Sequence, residues 1–490
     1  MRAWVLALAL VSVAQAETRP RYGGAVEASL LGAPATLDPV MAQSHAELTA
    51  VDLVFDTLYR IGPNGSVQPH LAAGLPVGDA TRLRIPLRKG VRFHDGTELT
   101  AADVVASLER VRTSPARWTL APVASLRADG DAVELVLRAP IGDLAPFLAM
   151  PATAITKSGR APGERPIGSG PFRVDRLDAA NRRLALVAFD EHFAGRPYLD
   201  QLALRWYDTT DGEARRFETG EAQLSARGVA AFVGAAPKYR AGDVEGPAAL
   251  LVFVGFGRAH AALLATTPFR HALDLALARG TLTSISSGER VAPARDPVPV
   301  EAGGAALATA GRLADLAGAR AALALAARTA RELEPTARAA LKLEILVEET
   351  RPDDREIAER VAFALTKLDI ASTITVVPAA KLRERVARGA CDLWIGQLAA
   401  PVTAAPLWWG AAFAAGGDPW VEQHLAAGSL DLAAAAKAFG ERLPIVPLAF
   451  RAVRIWHRTD IRGLGFDASG RPAFADVFLF GDPARSKGKP

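Results

Sequence analysis

The sequence predicts an α/β protein of two or three lobes, and three observations carry that expectation. The chain has 490 residues, whereas a single hydrophobic core stops growing at roughly 250–300 residues. Residues 341–398 read as strand–helix–strand–helix–strand, a spacing that implies parallel pairing with right-handed crossovers. Residues 83–111 read as a strand, a turn and a cleanly capped helix, a second unit of mixed structure.

The elements follow in order. Val26, Ala28 and Leu30 mark a short strand over 24–31. Leu48, Val51, Val54 or Phe55, and Leu58 recur at helical spacing, which predicts a helix over 46–58. Leu83, Ile85 and Leu87 alternate with Arg84, Pro86 and Arg88, a half-exposed strand that Pro86 places near an edge. His94-Asp95-Gly96 makes a turn. Thr100, with Asp103 three residues on, is the carboxylate form of a capping box, and Val104, Leu108 and Val111 form the stripe of the helix it starts. Residues 132–138 alternate as a strand, 166–172 (Pro-Ile-Gly-Ser-Gly-Pro-Phe) form a crossover, and strands follow at 184–187 and 201–206. A helix around 213–217 ends near Gly220. Residues 301–330, nearly all Ala, Gly, Leu and Arg, read as a surface helix with a linker. In 341–398, Leu341, Leu343, Ile345 and Val347 form the first strand. Pro352 suits a first helical turn, where Asp353 and Asp354 sit at the positive end of the dipole. Ile357, Val361, Leu365 and Leu368 share the buried face, and Ile374 and Val376 mark the second strand. A helix over 379–388 leads to the third strand, 392–398.

Composition excludes several classes. Half the residues are hydrophobic and 22% are charged, ordinary for a folded protein. The net charge is +4, from 57 basic and 53 acidic residues, and the excess is scattered, so nucleic acid is not an expected partner. Arg2, the apolar run from Trp4 to Val13 and Ala14-Gln15-Ala16 have the order of a secretory signal peptide over 1–16, against the alternative of a buried N-terminal helix. No other apolar run is long enough to span a bilayer. Cys391, the one cysteine, excludes an internal disulfide and reads as a small buried hydrophobe; no cysteine follows the apolar run to carry a lipid anchor. Residues 483–490 read as a disordered tail.

No catalytic or metal-binding motif emerges. The histidines, His45, His70, His94, His192, His260, His271, His424 and His457, include no pair at helix-face spacing for zinc. Gly168-Ser169-Gly170 is not a nucleophile elbow. No glycine-rich phosphate loop opens a helix. Glu348-Glu349 and Asp353-Asp354 sit at element ends and read as solvated charges. The expectation is no enzyme, no cofactor and no metal site, although carboxylate dyads need no sequence proximity.

Leu87-Arg-Lys-Gly-Val-Arg-Phe-His-Asp-Gly96 followed by Leu99-Thr-Ala-Ala-Asp-Val-Val-Ala-Ser-Leu108 closely resembles the signature of the family 5 extracellular solute-binding proteins, the oligopeptide-, dipeptide- and nickel-binding components of ABC importers. Thr36-Leu-Asp-Pro39, Pro69-His-Leu-Ala72, Ile167-Gly-Ser-Gly-Pro-Phe172, Pro197-Tyr-Leu-Asp200, Thr219-Gly-Glu221 and Phe269-Arg-His-Ala-Leu273 are similar in register. The resemblance implies an α/β two-lobe clamp of the periplasmic-binding-protein type (type II, cluster C-like) with an additional small α/β lobe. Its boundaries here would be a discontinuous lobe I at 17–60, 161–250 and 445–482, the additional lobe II at 61–160, and lobe III at 251–444.

The resemblance further implies that ligand lies between lobes, an extended peptide pairing through its main chain with a short strand from each. By position these would be Leu31, Gly32 and Ala33 from lobe I and Gly396, Gln397 and Leu398 from lobe III. Trp394, Trp408 and Trp409 would wall the side-chain pockets or pack the core. Peptide binders of this family commonly carry an acidic residue just after the second strand for the ligand's amino terminus. Here Gln397 to Pro406 holds no carboxylate, and none follows until Asp418. An ammonium buried without a partner is costly, so a blocked peptide, a sugar or a less polar solute competes with a free peptide. The expected protein is a monomeric periplasmic receptor that captures a small solute or peptide and delivers it to ABC transporter permease subunits. The alternative is a degenerate homologue acting as a sensor or protein-interaction module.

Overall fold

A computed structural model describes residues 20–163, 165–226, 241–284, 291–333 and 340–480. The expected signal peptide and tail lie outside them. Among the described residues no helix is long and apolar enough to cross a membrane.

Among the described residues three large sheets, beside two two-stranded ones, organise an α/β fold. The first has seven strands in the spatial order Ala241–Glu245, Arg454–Arg458, Leu224–Ser225, Ala25–Ser29, Gln201–Arg205, Arg183–Ala188 and Phe172–Asp178. Ala25–Ser29 runs parallel to Gln201–Arg205, with Val26 opposite Leu202 and Ala28 opposite Leu204. Its apolar face packs on the helix His45–Val54 through Ala46, Ala50, Val51 and Val54. That helix starts at a full capping box, Ser44 with Glu47. It stops at Val54, four residues before the periodicity suggested. The Gly170 N–H takes the Val54 carbonyl at 3.0 Å, and Gly168 and Gly170 press so closely that a Cβ on either would strike Val54 backbone. Residues 55–58 lead off toward the additional lobe, with Phe55 in extended backbone and buried in the first lobe's core and Leu58 buried in that of the additional lobe.

The additional lobe is a four-stranded antiparallel sheet, ordered Val77–Gly78, Arg82–Pro86, Ala132–Leu137 and Val123–Asp129, with the helix Ala101–Val111 against it. The Thr100–Asp103 capping box forms, and Val104, Leu108 and Val111 are fully buried. Arg82–Pro86 lies near an edge, as Pro86 suggested, second in the sheet. Its outer neighbour reaches only Leu83 and Arg84, so Pro86 pairs on one side alone and its missing N–H interrupts nothing.

The third sheet has six strands in the order Val291–Pro293, Val446–Arg451, Leu250–Phe256, Leu393–Ala399, Lys342–Glu348 and Ala371–Val377. Lys342–Glu348 is parallel to both its neighbours, as the strand–helix alternation requires. One face carries the helix Pro352–Lys367, burying Ile357, Val361 and Leu365, and the helices Thr267–Ala276 and Leu316–Ala326. The alanine-rich Leu316–Ala326, expected on the surface, buries Ala319, Leu323 and Ala326, because small side chains let helices approach closely. The other face is covered by the helices Ala405–Ala415, Trp420–Ala426 and Leu432–Arg442, whose core continues into the additional lobe through Trp118 and Phe147.

Two antiparallel segments join the first and third sheets. Glu245 pairs with Arg454 in the first, and Leu250 pairs with Arg451 in the third. Between them run 246–249 and 452–453, tied by Gly246 N–H to the Val453 carbonyl at 2.8 Å. Val446–Arg451, expected in lobe I, belongs to the third sheet, so the return crossing falls at 452–453.

Candidate functional site

The carboxyl ends of Ala25–Ser29 and Lys342–Glu348 face each other across the first and third lobes, where crevices form in α/β sheets. Beyond the first strand, Gly32 is buried with φ +106°, a conformation that favours glycine. A Cβ there would come within 3.0 Å of both Arg351 Cγ and Glu348 Oε2 of the other lobe. The next residue, Ala33, donates its N–H to Thr350 Oγ1 at 2.7 Å. Arg383 pairs with Glu47 and with the Met41 carbonyl, again across the lobes. The two lobes are therefore closed on each other.

The third-lobe wall of this contact is ionic and buried. Arg351 lies 2.8 Å from Glu348 Oε2 and 3.1 Å from Asp354 Oδ2. Arg451 binds Asp353 at 2.6 Å. Gln397 Nε2 reaches Asp354 Oδ1 at 3.4 Å, while Gln397 Oε1 is buried with no hydrogen-bond partner. Three carboxylates (Glu348, Asp353, Asp354) thus meet two guanidiniums (Arg351, Arg451), one negative charge in excess. Burial is the main influence on Asp354 and outweighs Arg351 and Arg451, pushing its carboxyl up to about 6. Burial also works against the Arg351 charge, but Asp354 and Glu348 overcome it and hold the guanidinium above its usual value.

The residues expected to line the cleft are divided by the strand's alternation. Gln397 shares a face with Leu393 and Ile395 and points toward the helix that begins at Pro352. Trp394 lies edge-on to Phe253, 5.0 Å between ring centroids, and covers Gly255 and Gly396, where a Cβ would meet its ring at 2.2–2.3 Å. Gly396 is thus explained by the space its neighbours' rings occupy. Leu31, Ala33 and Leu398 are partly buried at the lobe faces. Trp408 and Trp409 lie in the core instead of a pocket. Trp408 is fully buried against Phe450 and donates Nε1–H to the Pro401 carbonyl at 2.9 Å, and Trp409 packs on Phe439.

Glu348 and Asp354 are also corrected, from solvated charges to buried ones, whereas Glu349 is exposed and Asp353 half-buried. A signal for them existed. Glu348 to Asp354 join the end of a parallel strand to a helix N-terminus, the position where α/β sheets hold their ligands.

The carboxylate-free segment after Gln397 has a different use. Thr403, Ala404, Pro406 and Leu407 line a cavity of about 420 Å³ with Ile61 and Phe147 of the additional lobe. That volume suits a small molecule or one large side chain. A larger cavity of about 630 Å³, including Arg279, Phe363 and Leu448, is lined by the third lobe alone and is not shared between lobes. Cys391 is buried, and burial pushes its thiol up to about 11, so it is an inert hydrophobe.

Comparison with known proteins agrees with this geometry. The family described as bacterial extracellular solute-binding proteins, family 5 Middle, matches residues 66–417. The uncharacterized protein YhjP of Bacillus subtilis is 31% identical over 193 residues, 38% of this chain and 33% of that protein. The glutathione-binding protein GsiB of Escherichia coli K12 is 29% identical over 204 residues, 39% of this chain and 40% of that protein. These matches span only a third to two fifths of the relatives' length. The solved structure of the ABC transporter-associated periplasmic binding protein DppA from Helicobacter pylori with the peptide STSA superposes with TM-score 0.79 at 18% identity, covering 94% of this chain and 99% of that one.

Proposed function

The chain belongs to the bacterial extracellular solute-binding proteins of family 5, and from that premise we propose that it captures a small solute or peptide between its first and third lobes and presents it to the permease subunits of an ABC importer. The observation that carries this reading is the pair of facing strand ends. Gly32 and Ala33 meet Thr350 and Arg351 across the lobes, and Gln397 Oε1 is left buried and unpartnered beside them. A buried carbonyl oxygen without a donor costs about 1–3 kcal/mol, which a ligand N–H would recover.

The carboxylate absent from 397–406 has a substitute. Asp354 reaches the cleft strand from another element and leaves the cluster one negative charge in excess. We therefore favour a ligand with a cationic or N–H-rich head on this wall, a condition that a free or N-terminally unblocked peptide meets. The protein acts as a periplasmic monomer carrying a cleavable signal peptide, and the role requires no catalysis. Closure shifts between open and closed populations about 246–249 and 452–453.

Mass spectrometry of small molecules released on heating the periplasmically purified protein identifies the ligand. Small-angle scattering with the released compound is expected to show compaction relative to the stripped protein. Gln397→Ala is expected to weaken binding about 10-fold, one lost buried hydrogen bond. A stabilising solute that leaves the scattering profile unchanged would remove the clamp reading. Unchanged solute uptake in a deletion strain would favour the sensor role instead.

A further inference from the structure

A second cluster lies away from the cleft, where the first lobe joins the additional lobe. Asp56 sits on the link leaving the first helix, His70 directly follows the strand Val67–Pro69, and His192 lies in the turn between Arg183–Ala188 and Gln201–Arg205. One donor atom from each lies within 4.8 Å of the others. Asp56 Oδ1 is 2.8 Å from His70 Nε2, and Asp56 Oδ2 is 3.8 Å from His192 Nε2. The three side chains are 4%, 14% and 7% exposed.

The orientation of His192 is the informative part. Its Nδ1 lies 3.0 Å from the Gly195 carbonyl, which can only accept, so Nδ1 carries the hydrogen. In the neutral ring Nε2 then presents a lone pair. That atom is buried, has no hydrogen-bond partner, and faces a carboxylate oxygen. A lone pair held against a carboxylate in a dry site calls for a cation between them. Neighbouring His94 makes the contrast, since both its nitrogens are engaged, with the Gly170 carbonyl at 2.9 Å and the Gly168 N–H at 3.3 Å.

We propose that Asp56, His70 and His192 form a binding site for a divalent transition-metal ion, with zinc the best fit, that fastens the additional lobe to the first lobe. Two imidazoles and one carboxylate suit a borderline ion of tetrahedral preference. Ligand atoms about 2.0–2.1 Å from zinc lie about 3.3 Å apart in a tetrahedron, and here one donor atom from each residue lies within 4.8 Å of the others. Small ring rotations bring them to that spacing, with His70 moving its hydrogen to Nδ1. The supporting groups are in place. The Gly195 carbonyl fixes the His192 tautomer, and Ser169 Oγ donates to Asp56 Oδ2 at 2.8 Å. The Phe193 ring braces both imidazoles, at 4.9 Å from His70 and 4.8 Å from His192. No residue of the cleft takes part, so this site stands or falls independently of the transport reading.

The test uses the untagged full chain, stripped with chelator and titrated with cobalt(II), then zinc. One equivalent of cobalt should bind with the strong visible absorption of a tetrahedral site, and zinc should displace it. Zinc should raise the melting temperature of the wild type, and not that of His192→Ala or His70→Ala. Each of those variants should bind at least about 100-fold more weakly. His192→Gln replaces His192→Ala if the latter does not fold. Undiminished uptake in the histidine variants would place the metal elsewhere and overturn the proposal. So would a wild type that takes up no stoichiometric metal and shows a protonated His192 by NMR, which would make the cluster a proton-held ion pair.

Discussion

The first lobe makes two junctions, and they are built on opposite principles. Toward the additional lobe it is locked. Gly168 and Gly170 lie against Val54 with no room for a Cβ, His94 is pinned to both glycines, and Ser169 to Asp56. Toward the third lobe it has two crossing segments and a polar face, held by Ala33 to Thr350 and by Glu47 to Arg383. Van der Waals closeness on backbone admits no sliding, whereas ion pairs and single hydrogen bonds exchange readily with water. The polar junction is the one whose contacts exchange with water, while the third lobe keeps an apolar core with the additional lobe through Trp118 and Phe147.

Overpacking the locked junction is the strongest way to test that contrast. In Gly168→Val the new Cβ would meet the Val54 carbonyl oxygen at 1.9 Å, so backbone must move. A loss of about 3 kcal/mol is expected in thermal unfolding. The hinge counterpart, Gly246→Ala, meets only the Phe466 ring at 2.8 Å, a side chain able to turn aside, and should cost about 1 kcal/mol or less. Equal losses at the two sites would erase the distinction.

Within the movable junction, Arg351 is expected to matter nearly as much. It pairs with both Glu348 and Asp354, and stripping a buried pair of one partner typically costs about 3 kcal/mol. Arg351→Met should show most of that loss at pH 7 and less at pH 5, where Asp354 takes up a proton. A milder change is expected for Arg383→Ala. Its partner Glu47 is buried but Arg383 is part-exposed, so about 1 kcal/mol is at stake. The clearer readout is scattering, in which the variant should shift toward the open form at low ligand.

Much of this was legible in the sequence, for local reasons. The Thr100–Asp103 cap, the strand–helix alternation of 341–398 and the glycine crossover at 166–172 depend on neighbours a few residues apart. What escaped depends on long-range approach. The helix at His45–Val54 was cut short by a segment more than a hundred residues away. Trp408 and Trp409 could not be told from pocket walls, because an aromatic pair reads the same in a core or a cleft. Asp56, His70 and His192 lie on three separate segments, so no spacing rule could collect them. Glu348 and Asp354 were misread because element ends are usually solvated, and here the closed first lobe covers them.

One further effect reports on the cleft most directly. The Asp354 carboxyl titrates near 3.8 when unfolded and near 6 in the closed protein, burial being the main cause. Between those values the folded protein holds a proton that the unfolded chain has released. Stability must therefore fall as pH rises from about 4 through about 6 and level off above it, by up to about 3 kcal/mol. Asp354→Asn should remove its share of that slope and leave that of Asp52, whose carboxyl burial also pushes up, to about 7. A bound cationic ligand should reduce the Asp354 share too, because a positive charge beside Asp354 returns its carboxyl toward the ordinary range. Melting temperatures across pH 4–7, with and without the released ligand, separate the two junctions in one series. Only the movable one has a buried acid whose titration follows whether the cleft is filled.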